Sequence, residues 1–373
     1  MLVIYTLAME EKIPEKMKAA LLFGTGGPEM LEIRDDVSVP VVQQDQVLVK
    51  VSACGLNNTD INTRVGWYSR SVNSATTNSG FEEARTDDAT WGRSGLKFPR
   101  IQGADISGRI VKVGEGINDS LLGERVLVNP CILDKDEPSN RELAGYLGSE
   151  FNGGFAEYCV LPARNVHVIE TDLSDIELAS FPCSWAAAEH MLQRVQLESG
   201  QSIAITGASG GVGTALIQLA KRRHATVYAV ASSKKIDQVK HVGADVVVAR
   251  ESSNVPEEIY SIHGHKIDVV ADVVGGENFS AWLELLKQGG KYVTSGAIAG
   301  PIVDLDLRTL YLKDLELVGA TVFQSELFQD LVSYIERGEV QPQVGKVFKF
   351  EEIHEAQRVF NLKDHVGSIV LTF

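Results

Sequence analysis

The sequence predicts an α/β fold in which a β-rich part precedes a doubly wound parallel sheet, and three observations support this. Short β-like runs separated by turn residues dominate the first half of the chain. From residue 202 to residue 322, apolar strands alternate with amphipathic helices. A glycine-rich turn, GASGGVG at 207–213, joins the first of these strands to a helix. Strands that are apolar throughout are typical of a parallel sheet covered by helices on both faces.

The β-rich part begins with three predicted strands: KAALLF at 18–23, MLEIRD at 30–35 and VLVKVSA at 47–53. The third alternates apolar and polar residues, as a half-buried strand does. Residues 66–98 are rich in Ser, Asn, Thr, Gly, Asp and Arg and have no sustained period. We expect a long excursion or lid there, and such loops in compact enzymes are often functional. The β pattern resumes over 101–128 and again over 155–160.

The α/β part contains six predicted strands: SIAIT (202–206), TVYAV (226–230), DVVVA (245–249), IDVVADVV (267–274), KYVTSGA (291–297) and ELVGATV (316–322). Amphipathic spacing predicts helices over 211–222, 235–242 and 279–287 between them. Beyond the sixth strand, the tail is predicted to hold helices near 328–337 and 353–360 and a last strand at 368–371.

Length and composition restrict the function. A chain of 373 residues suggests two or three domains and a core that needs no disulfide. The net charge of −15 creates a field that repels nucleic acids and anionic membranes, so we expect neither as a partner. Four scattered cysteines without CxxC spacing favour a reduced, cytoplasmic protein. The apolar start, Met1–Ala8, is too short to span a membrane and lacks the basic leader of a signal peptide.

The GASGGVG turn is the strongest functional motif in the chain. Ala208, Gly210 and Gly213 fill the three positions of the GxGxxG phosphate-binding pattern, with Ser209, Gly211 and Val212 among them. A glycine at position 210 lets the backbone approach a pyrophosphate, and the helix N-terminus presents free amides to it. We therefore expect a dinucleotide site here. The ends of two later strands add Val274, Ser295 and Gly296 to the expected cofactor contacts.

The cofactor preference is predicted from the segment about 20 residues after the motif. A site for NAD would place Asp or Glu there to hold the ribose 2′-hydroxyl. This chain has Ser232, Ser233, Lys234 and Lys235 instead, which offer hydroxyl donors and positive charge to a 2′-phosphate. The sequence thus favours NADP(H). The alternative is an ordinary helix start with solvated lysines.

Several motifs together resemble the medium-chain dehydrogenase/reductase superfamily, and in particular its zinc-independent, quinone-oxidoreductase-like branch. They are GLNNTD at 55–60, GAD at 103–105 with Gly108 and Val113-Gly114, GGFAEY at 153–158 and the GASGGVG turn. The resemblance implies a GroES-like catalytic domain over 1–183 that includes an extension at 1–16 and the excursion at 66–98. It also implies a Rossmann domain over 184–323 and a C-terminal segment, 324–373, that returns to the first domain. Relatives form homodimers through edge strands, which here would be residues 316–322.

The same resemblance bears on metal binding. The zinc-dependent members use Cys, His and Cys as ligands of a catalytic zinc, and the matching positions here are Asn57, Ala104 and Cys183. An amide, a methyl group and one thiol do not make a three-ligand zinc site. The four clustered cysteines of the second family zinc are also missing, since only Cys131 and Cys159 occur nearby. We therefore expect no bound metal.

Candidate catalytic residues also follow from the resemblance. The zinc-free relatives keep an Asn at the position of Asn57 and a pattern matched by Asp60, Arg64, Gly66 and Tyr68. Asn57 is expected to orient the nicotinamide ribose or a carbonyl oxygen. Tyr68 is expected to donate to a developing enolate or to stack on a flat substrate, with charge from Arg64 nearby. Each of the three also has a purely structural alternative. A second aromatic residue of the relatives is replaced by Asn62.

Three hypotheses result. The first is an NADPH-dependent oxidoreductase that transfers hydride to a quinone or an α,β-unsaturated carbonyl without zinc. The second is an alcohol or aldehyde dehydrogenase with a rebuilt metal site around Cys183 and Asp105. The third, from a different functional class, is an NADPH-binding sensor or structural protein with little turnover.

Overall fold

The computed structural model describes residues 12–77, 79–90 and 95–373. The segment Met1–Ala8 and most of the predicted extension 1–16 therefore lie outside the described residues. The described residues of the first part of the chain form ten strands and one α-helix: β1 (Lys16–Leu22), β2 (Leu31–Ser38), β3 (Gln46–Leu56), α1 (Asn58–Val65), β4 (Arg100–Ile101), β5 (Asp105–Val113), β6 (Arg125–Val128), β7 (Cys131–Ile132), β8 (Gly145–Tyr146), β9 (Tyr158–Pro162) and β10 (Val166–Val168).

The rest of the chain alternates helices and strands: α2 (Asp175–Leu178), α3 (Pro182–Arg194), β11 (Ser202–Ile205), α4 (Gly211–Arg222), β12 (Thr226–Ala231), α5 (Ile236–Val242), β13 (Val246–Ala249), α6 (Val255–His263), β14 (Ile267–Asp272), α7 (Phe279–Leu285), β15 (Leu286–Thr294), α8 (Leu307–Leu312), β16 (Glu316–Gly319), α9 (Ser325–Glu336), β17 (Val344–Lys349), α10 (Ile353–Leu362) and β18 (Ser368–Thr372).

Strands β11 to β16 form a six-stranded sheet in the order β13-β12-β11-β14-β15-β16, and every neighbouring pair is parallel. This confirms the predicted doubly wound sheet. Strand β15 begins five residues earlier than the 291–297 prediction, at Leu286, and takes over the end of the predicted helix 279–287. Two glycines, Gly289 and Gly290, interrupt its apolar pattern, which is why the sequence alone did not show this extension.

The β-rich domain is organised around β3, the longest strand of the chain. It pairs antiparallel with β5, β9 and β18, so that the last strand of the protein adds to the sheet of the first domain. Pairing of Leu56 with Ile369 brings the C-terminal segment beside the start of α1. Another sheet, in the order β2-β1-β4, packs at the N-terminal end.

The two domains meet along an apolar seam. One continuous core cluster joins the helices and strands of the parallel sheet to Ala104, Cys131 and Tyr146 of the β-rich domain. Helix α3 lies in this seam, where Phe181 and Trp185 are almost fully buried. Burial of such large side chains contributes roughly 1.5–3 kcal/mol each, so the docked arrangement is strongly favoured.

The excursion 66–98 has no regular helix or strand among its described residues, as predicted. It is nevertheless anchored at both domains. The Thr76 hydroxyl donates to Asn62 Oδ1 at 3.1 Å on α1, and the Thr76 amide donates to the Ile298 carbonyl at 3.0 Å beyond β15. The excursion is therefore hydrogen-bonded to both the β-rich part and the α/β part. Among the described residues, no helix is long and apolar enough to cross a membrane.

Candidate active site

The glycine-rich turn connects β11 to α4, as the motif predicts. Gly207 has a φ of +57°, which a glycine adopts without strain. A Cβ on Gly213 would lie only 2.3 Å from the Gly207 carbonyl oxygen, so this position requires glycine for close packing. By contrast, a Cβ on Gly210 would meet nothing nearer than 3.6 Å within the protein. Through the open space above Gly210, a ligand phosphate would be able to approach the protein backbone.

Lys235 does not point outward with its neighbours. Its ammonium group turns under the glycine-rich turn and donates to the Lys363 and His365 carbonyls, the latter at 2.9 Å, and lies 3.4 Å from Ser209 Oγ. The Gly367 amide donates to the Ser209 carbonyl at 2.9 Å, so the C-terminal segment crosses the same turn. The prediction that Lys235 serves the 2′-phosphate beside Lys234 therefore needs correction, because Lys235 is buried on the loop side.

Lys363 adds a second cation at this position. Its ammonium group donates to Asn58 Oδ1 at 2.9 Å, and partial burial together with the nearby Lys235 lowers the pKa of Lys363 to about 7. Neither lysine forms an ion pair with a carboxylate within the described part of the chain. Sequence reasoning missed Lys363, whose only signal is a lysine shortly before the last strand.

The predicted 2′-phosphate region carries mixed charge. Ser232 is half-buried, and Ser233 and Lys234 are exposed, at the end of β12. The Ser233 amide, however, donates to Glu251 Oε2 at 3.0 Å, and Arg250 Nε lies 3.3 Å from Glu251 Oε1. A carboxylate thus stands where the sequence indicated only hydroxyls and ammonium groups. Sequence reasoning missed Glu251 because it lies 18 residues away, after β13.

Val274, Ser295 and Gly296 lie just past the carboxyl ends of β14 and β15, and all three are half-buried. The Val274 amide donates to Asp272 Oδ1 at 2.8 Å, which shapes the turn after β14. In open parallel sheets the carboxyl edge of the strands is where ligands bind. The structure brings these residues to the same sheet edge as the glycine-rich turn.

Asn57 lies at the junction of the domains, at the start of α1. Its side-chain amide donates from Nδ2 to Asp105 Oδ2 at 2.7 Å, and its Oδ1 accepts from Ser184 Oγ on α3 at 3.0 Å. Its main-chain amide donates to Asp60 Oδ2 at 2.8 Å. Asp105 also accepts the main-chain amide of Cys183. The side chain that the sequence singled out is thus held by both domains.

The two carboxyl groups beside Asn57 are fully enclosed. Burial raises the pKa of Asp60 to about 7 and that of Asp105 to about 7, against the opposing effect of their hydrogen bonds. Burial also raises the pKa of the Cys183 thiol, with a further contribution from the Asp105 charge. Cys183 is therefore a protonated thiol. No group of three or more His, Cys, Asp or Glu side chains in the described ranges is placed to hold a metal ion.

Arg64 occupies a different place from the one expected. Its guanidinium is fully buried, donates to the Gly26 carbonyl at 2.8 Å and donates to Gln357 Oε1 at 3.1 Å. These contacts join α1 to the turn after β1 and to α10. These are the contacts of a structural residue. They correct the expectation that Arg64 supplies charge to a substrate, because its guanidinium forms hydrogen bonds within the protein interior.

Tyr68 is half-buried and follows α1 directly, with its ring edge-on to Trp67 at a centroid distance of 5.7 Å. The Trp67 indole nitrogen donates to the Ser74 carbonyl at 3.0 Å, which ties both aromatic residues to the excursion. The position of Asn62, where relatives have an aromatic residue, is used to hold Thr76. Tyr68 therefore lies where the excursion meets α1.

Comparisons with known proteins agree with this architecture. Residues 43–171 match the alcohol dehydrogenase GroES-like domain, and residues 211–337 match the zinc-binding dehydrogenase family. A solved structure from Sinorhizobium meliloti 1021, described as an alcohol dehydrogenase, is 44% identical, covers 97% of this chain and 98% of its own, and superposes with a TM-score of 0.88. The chain belongs to the medium-chain dehydrogenase/reductase superfamily.

Two curated relatives show the range of activities among similar proteins. The quinone oxidoreductase of Rattus norvegicus is 27% identical over 365 residues, which cover 95% of this chain and 97% of the relative. The NAD-dependent alcohol dehydrogenase of Sulfurisphaera tokodaii is 29% identical over 353 residues, covering 91% and 95%. This medium-chain dehydrogenase/reductase is accordingly an oxidoreductase that binds a nicotinamide cofactor.

Proposed function

We propose that this protein is an NADP(H)-dependent reductase that delivers hydride to a quinone or an α,β-unsaturated carbonyl without a catalytic metal. The observation that carries the proposal is the placement of Asn57, an uncharged hydrogen-bond donor, at the metal-ligand position of the superfamily and at the domain junction. Reduction of a conjugated carbonyl puts negative charge on an oxygen, which a fixed N–H group stabilises.

The residues at the superfamily's zinc position do not fit zinc. The Asn57 amide is already bonded to Asp105 and Ser184, Ala104 offers a methyl group, and Cys183 is a buried neutral thiol. Catalytic zinc requires three protein ligands, with any thiol ionised. We therefore derive no step through a metal.

The cofactor's place is defined by the chain's own groups. A bound nicotinamide supplies the hydride from its C4 carbon. The amides at the start of α4 and the open face of Gly210 receive the pyrophosphate, and Lys235 and Lys363 supply positive charge beside it. Ser232, Ser233, Lys234 and Arg250 are the candidate contacts of a 2′-phosphate. Tyr68, where the excursion meets α1, is the candidate substrate contact.

We also propose a homodimer formed through β16, the edge strand of the parallel sheet. Large apolar side chains are exposed on this side of the domain: Ile302, Leu307, Tyr311, Leu312 and Leu317. Exposed apolar side chains close in sequence to the edge strand of a sheet are typical of an association site. Sedimentation equilibrium tests this proposal. A wild-type protein with the mass of a dimer and a monomeric Leu317→Glu variant support it, whereas a monomeric wild type contradicts it. A cytoplasmic location remains part of the proposal.

The decisive experiment follows NADPH oxidation against quinones, enones and aldehydes, with NADH as the control cofactor and metal content measured on the same sample. Turnover with quinones or enones at less than 0.1 zinc per chain supports the proposal. Stoichiometric zinc with alcohol oxidation favours the second candidate, an alcohol dehydrogenase of the kind named among the relatives. Cofactor binding without any turnover favours a sensor.

Lys363→Met tests the cofactor site separately. An anion bound beside Lys363 raises its pKa, so the affinity for NADPH should fall as the pH rises from about 7, by up to tenfold per unit. The variant should lose this dependence, and calorimetry at pH 6.5 and 8.5 measures it. Lys346, a surface lysine of β17, provides the control. An equal loss of the pH dependence in Lys346→Met would contradict a specific role of Lys363.

A further inference from the structure

Asp105, Asn57 and Ser184 form a chain of side-chain hydrogen bonds that crosses the domain junction. Asp105 and Asn57 belong to the β-rich domain, and Ser184 belongs to α3. Ser184 also touches the cofactor-binding turn, since a Cβ on Gly211 would lie 2.5 Å from Ser184 Oγ. The chain therefore links an enclosed carboxyl group to the first residue of α4.

The chemistry of the three groups fixes which way the Asn57 amide faces. Both oxygens of Asp105 accept main-chain or side-chain N–H groups, from Cys183 and Asn57. In its ionised form Asp105 only accepts hydrogen bonds, and its Oδ2 then requires the NH₂ end of the Asn57 amide. The Ser184 hydroxyl donates to the other end, Oδ1. A flipped amide would place its oxygen against a carboxylate oxygen and leave both unpaired.

Among the residues that the structure describes, this arrangement leaves one N–H of the Asn57 side chain for a ligand. The amide nitrogen carries two hydrogens, and Asp105 takes one. Asp105 is 0% exposed and Ser184 3% exposed, whereas Asn57 keeps 8% exposure, the largest of the three. The remaining hydrogen is thus on the least enclosed member of the chain.

We propose that Asp105 is the positioning residue of the active site: it holds Asn57 as a donor toward the oxygen of the substrate, with Ser184 closing the chain from the cofactor domain. The inference rests on the proposed function and deepens it. A donor at this place suits a carbonyl or quinone oxygen that gains electron density, and not an alcohol hydroxyl that must give up a proton.

Asp105→Asn tests this directly. The oxygen of the new side chain still accepts from the Cys183 amide, and its NH₂ group faces Asn57. The Asn57 side-chain amide then flips, so that its oxygen accepts from this NH₂ group. Asn57 therefore presents an oxygen where it presented a nitrogen. Every side chain of the network keeps its hydrogen-bond partners, so we expect the variant to fold. We expect kcat with quinone or enone to fall about 100-fold, the loss typical of one catalytic donor, with the affinity for NADPH changed less than twofold.

Asp60→Asn is the matched control. Asp60 is an equally enclosed carboxyl group with a similarly raised pKa, but its side chain accepts from the main-chain amides of Asn57 and Gly103. The control should lose stability and keep kcat within fivefold. Ser184→Ala should lower kcat about fivefold, since Asn57 keeps its orientation without it. A fall of less than fivefold for Asp105→Asn, or equal falls for both Asp variants, would overturn the proposal.

A readout without turnover separates the two proposals. In protein labelled with ¹⁵N-asparagine, the side-chain amide signal of Asn57, assigned through Asn57→Asp, should shift in Asp105→Asn and stay in Asp60→Asn. An unchanged signal in Asp105→Asn contradicts the positioning role. Absence of turnover in the wild type, with the shift present, contradicts the proposed function and leaves the positioning role supported.

Discussion

The glycine-rich turn and the Asn57 cluster are the two parts of the candidate site, and they are built in different ways. The turn is made by seven consecutive residues whose backbone geometry does the work. The cluster is made by side chains far apart in sequence, with Asn57 separated from Asp105 by 48 residues and from Ser184 by 127. Local backbone geometry is therefore visible in a sequence, whereas the partners of a buried polar side chain are not.

The largest expected effect concerns the turn itself. Gly213→Ala places a Cβ against the Gly207 carbonyl and 2.5 Å from Ala208 Cα, both backbone atoms that have no room to move. We expect the free energy of unfolding to fall by about 3 kcal/mol or more in urea denaturation. Gly210→Ala is the control: it should fold normally but bind NADPH more than tenfold more weakly in fluorescence titration. Equal destabilisation by both substitutions would show that the turn is not divided into packing and ligand positions.

The next effect tests whether Arg64 belongs to the cluster or to the core. Arg64→Met removes the hydrogen bonds to Gly26 and Gln357 and leaves those groups buried without them. The free energy of unfolding should fall by about 3 kcal/mol. Activity per folded molecule should stay within twofold. A large fall in kcat at unchanged stability would instead restore the charge role that the sequence suggested.

A further effect concerns the pH dependence of stability at the enclosed Asp60. The folded-state pKa of Asp60, about 7, lies above its unfolded value near 3.8, so the folded form binds more protons between these values. Its contribution to stability is full below pH 3.8 and is lost as the pH rises through about 7, at up to about 1.4 kcal/mol per unit.

His167, His190 and His365, whose pKa values burial lowers to about 4, oppose this trend below pH 6.5. The measurement is therefore a difference. The free energy of unfolding of Asp60→Asn should rise relative to wild type between pH 4 and pH 7. A constant difference would show that Asp60 does not titrate in this range.

The smallest effect concerns cofactor choice beside the turn. Glu251→Gln removes the carboxylate on the Ser233 amide and should tighten NADPH about threefold, because a 2′-phosphate then meets less repulsion. The affinity for NADH should change less. Glu257→Gln removes an equal surface charge on α6 and serves as the control. If Glu251→Gln binds NADH more tightly and NADPH more weakly than the wild type, Glu251 does not face the ribose.

The confirmed predictions are those that depend on neighbours in sequence. The parallel sheet followed from the alternation of apolar strands and helices, and a nicotinamide cofactor followed from the GASGGVG turn. Lys235 was assigned by its distance from the glycine-rich turn and Arg64 by the resemblance to zinc-free relatives, and the structure turns both side chains inward. A long cationic side chain at a motif position can reach several Å in either direction, and only packing decides which.

The sequence by itself determined the superfamily, the doubly wound sheet and the place of the cofactor turn, because strand periodicity and glycine geometry act over a few residues. Only the tertiary structure decided that Lys363 joins Lys235 under the turn, that Glu251 reaches Ser233, and that Asp105 and Ser184 hold Asn57 from two domains. The physical reason is the same in each case. Buried polar groups must find hydrogen-bond partners, and which partners are available depends on segments that meet only when the whole chain has folded.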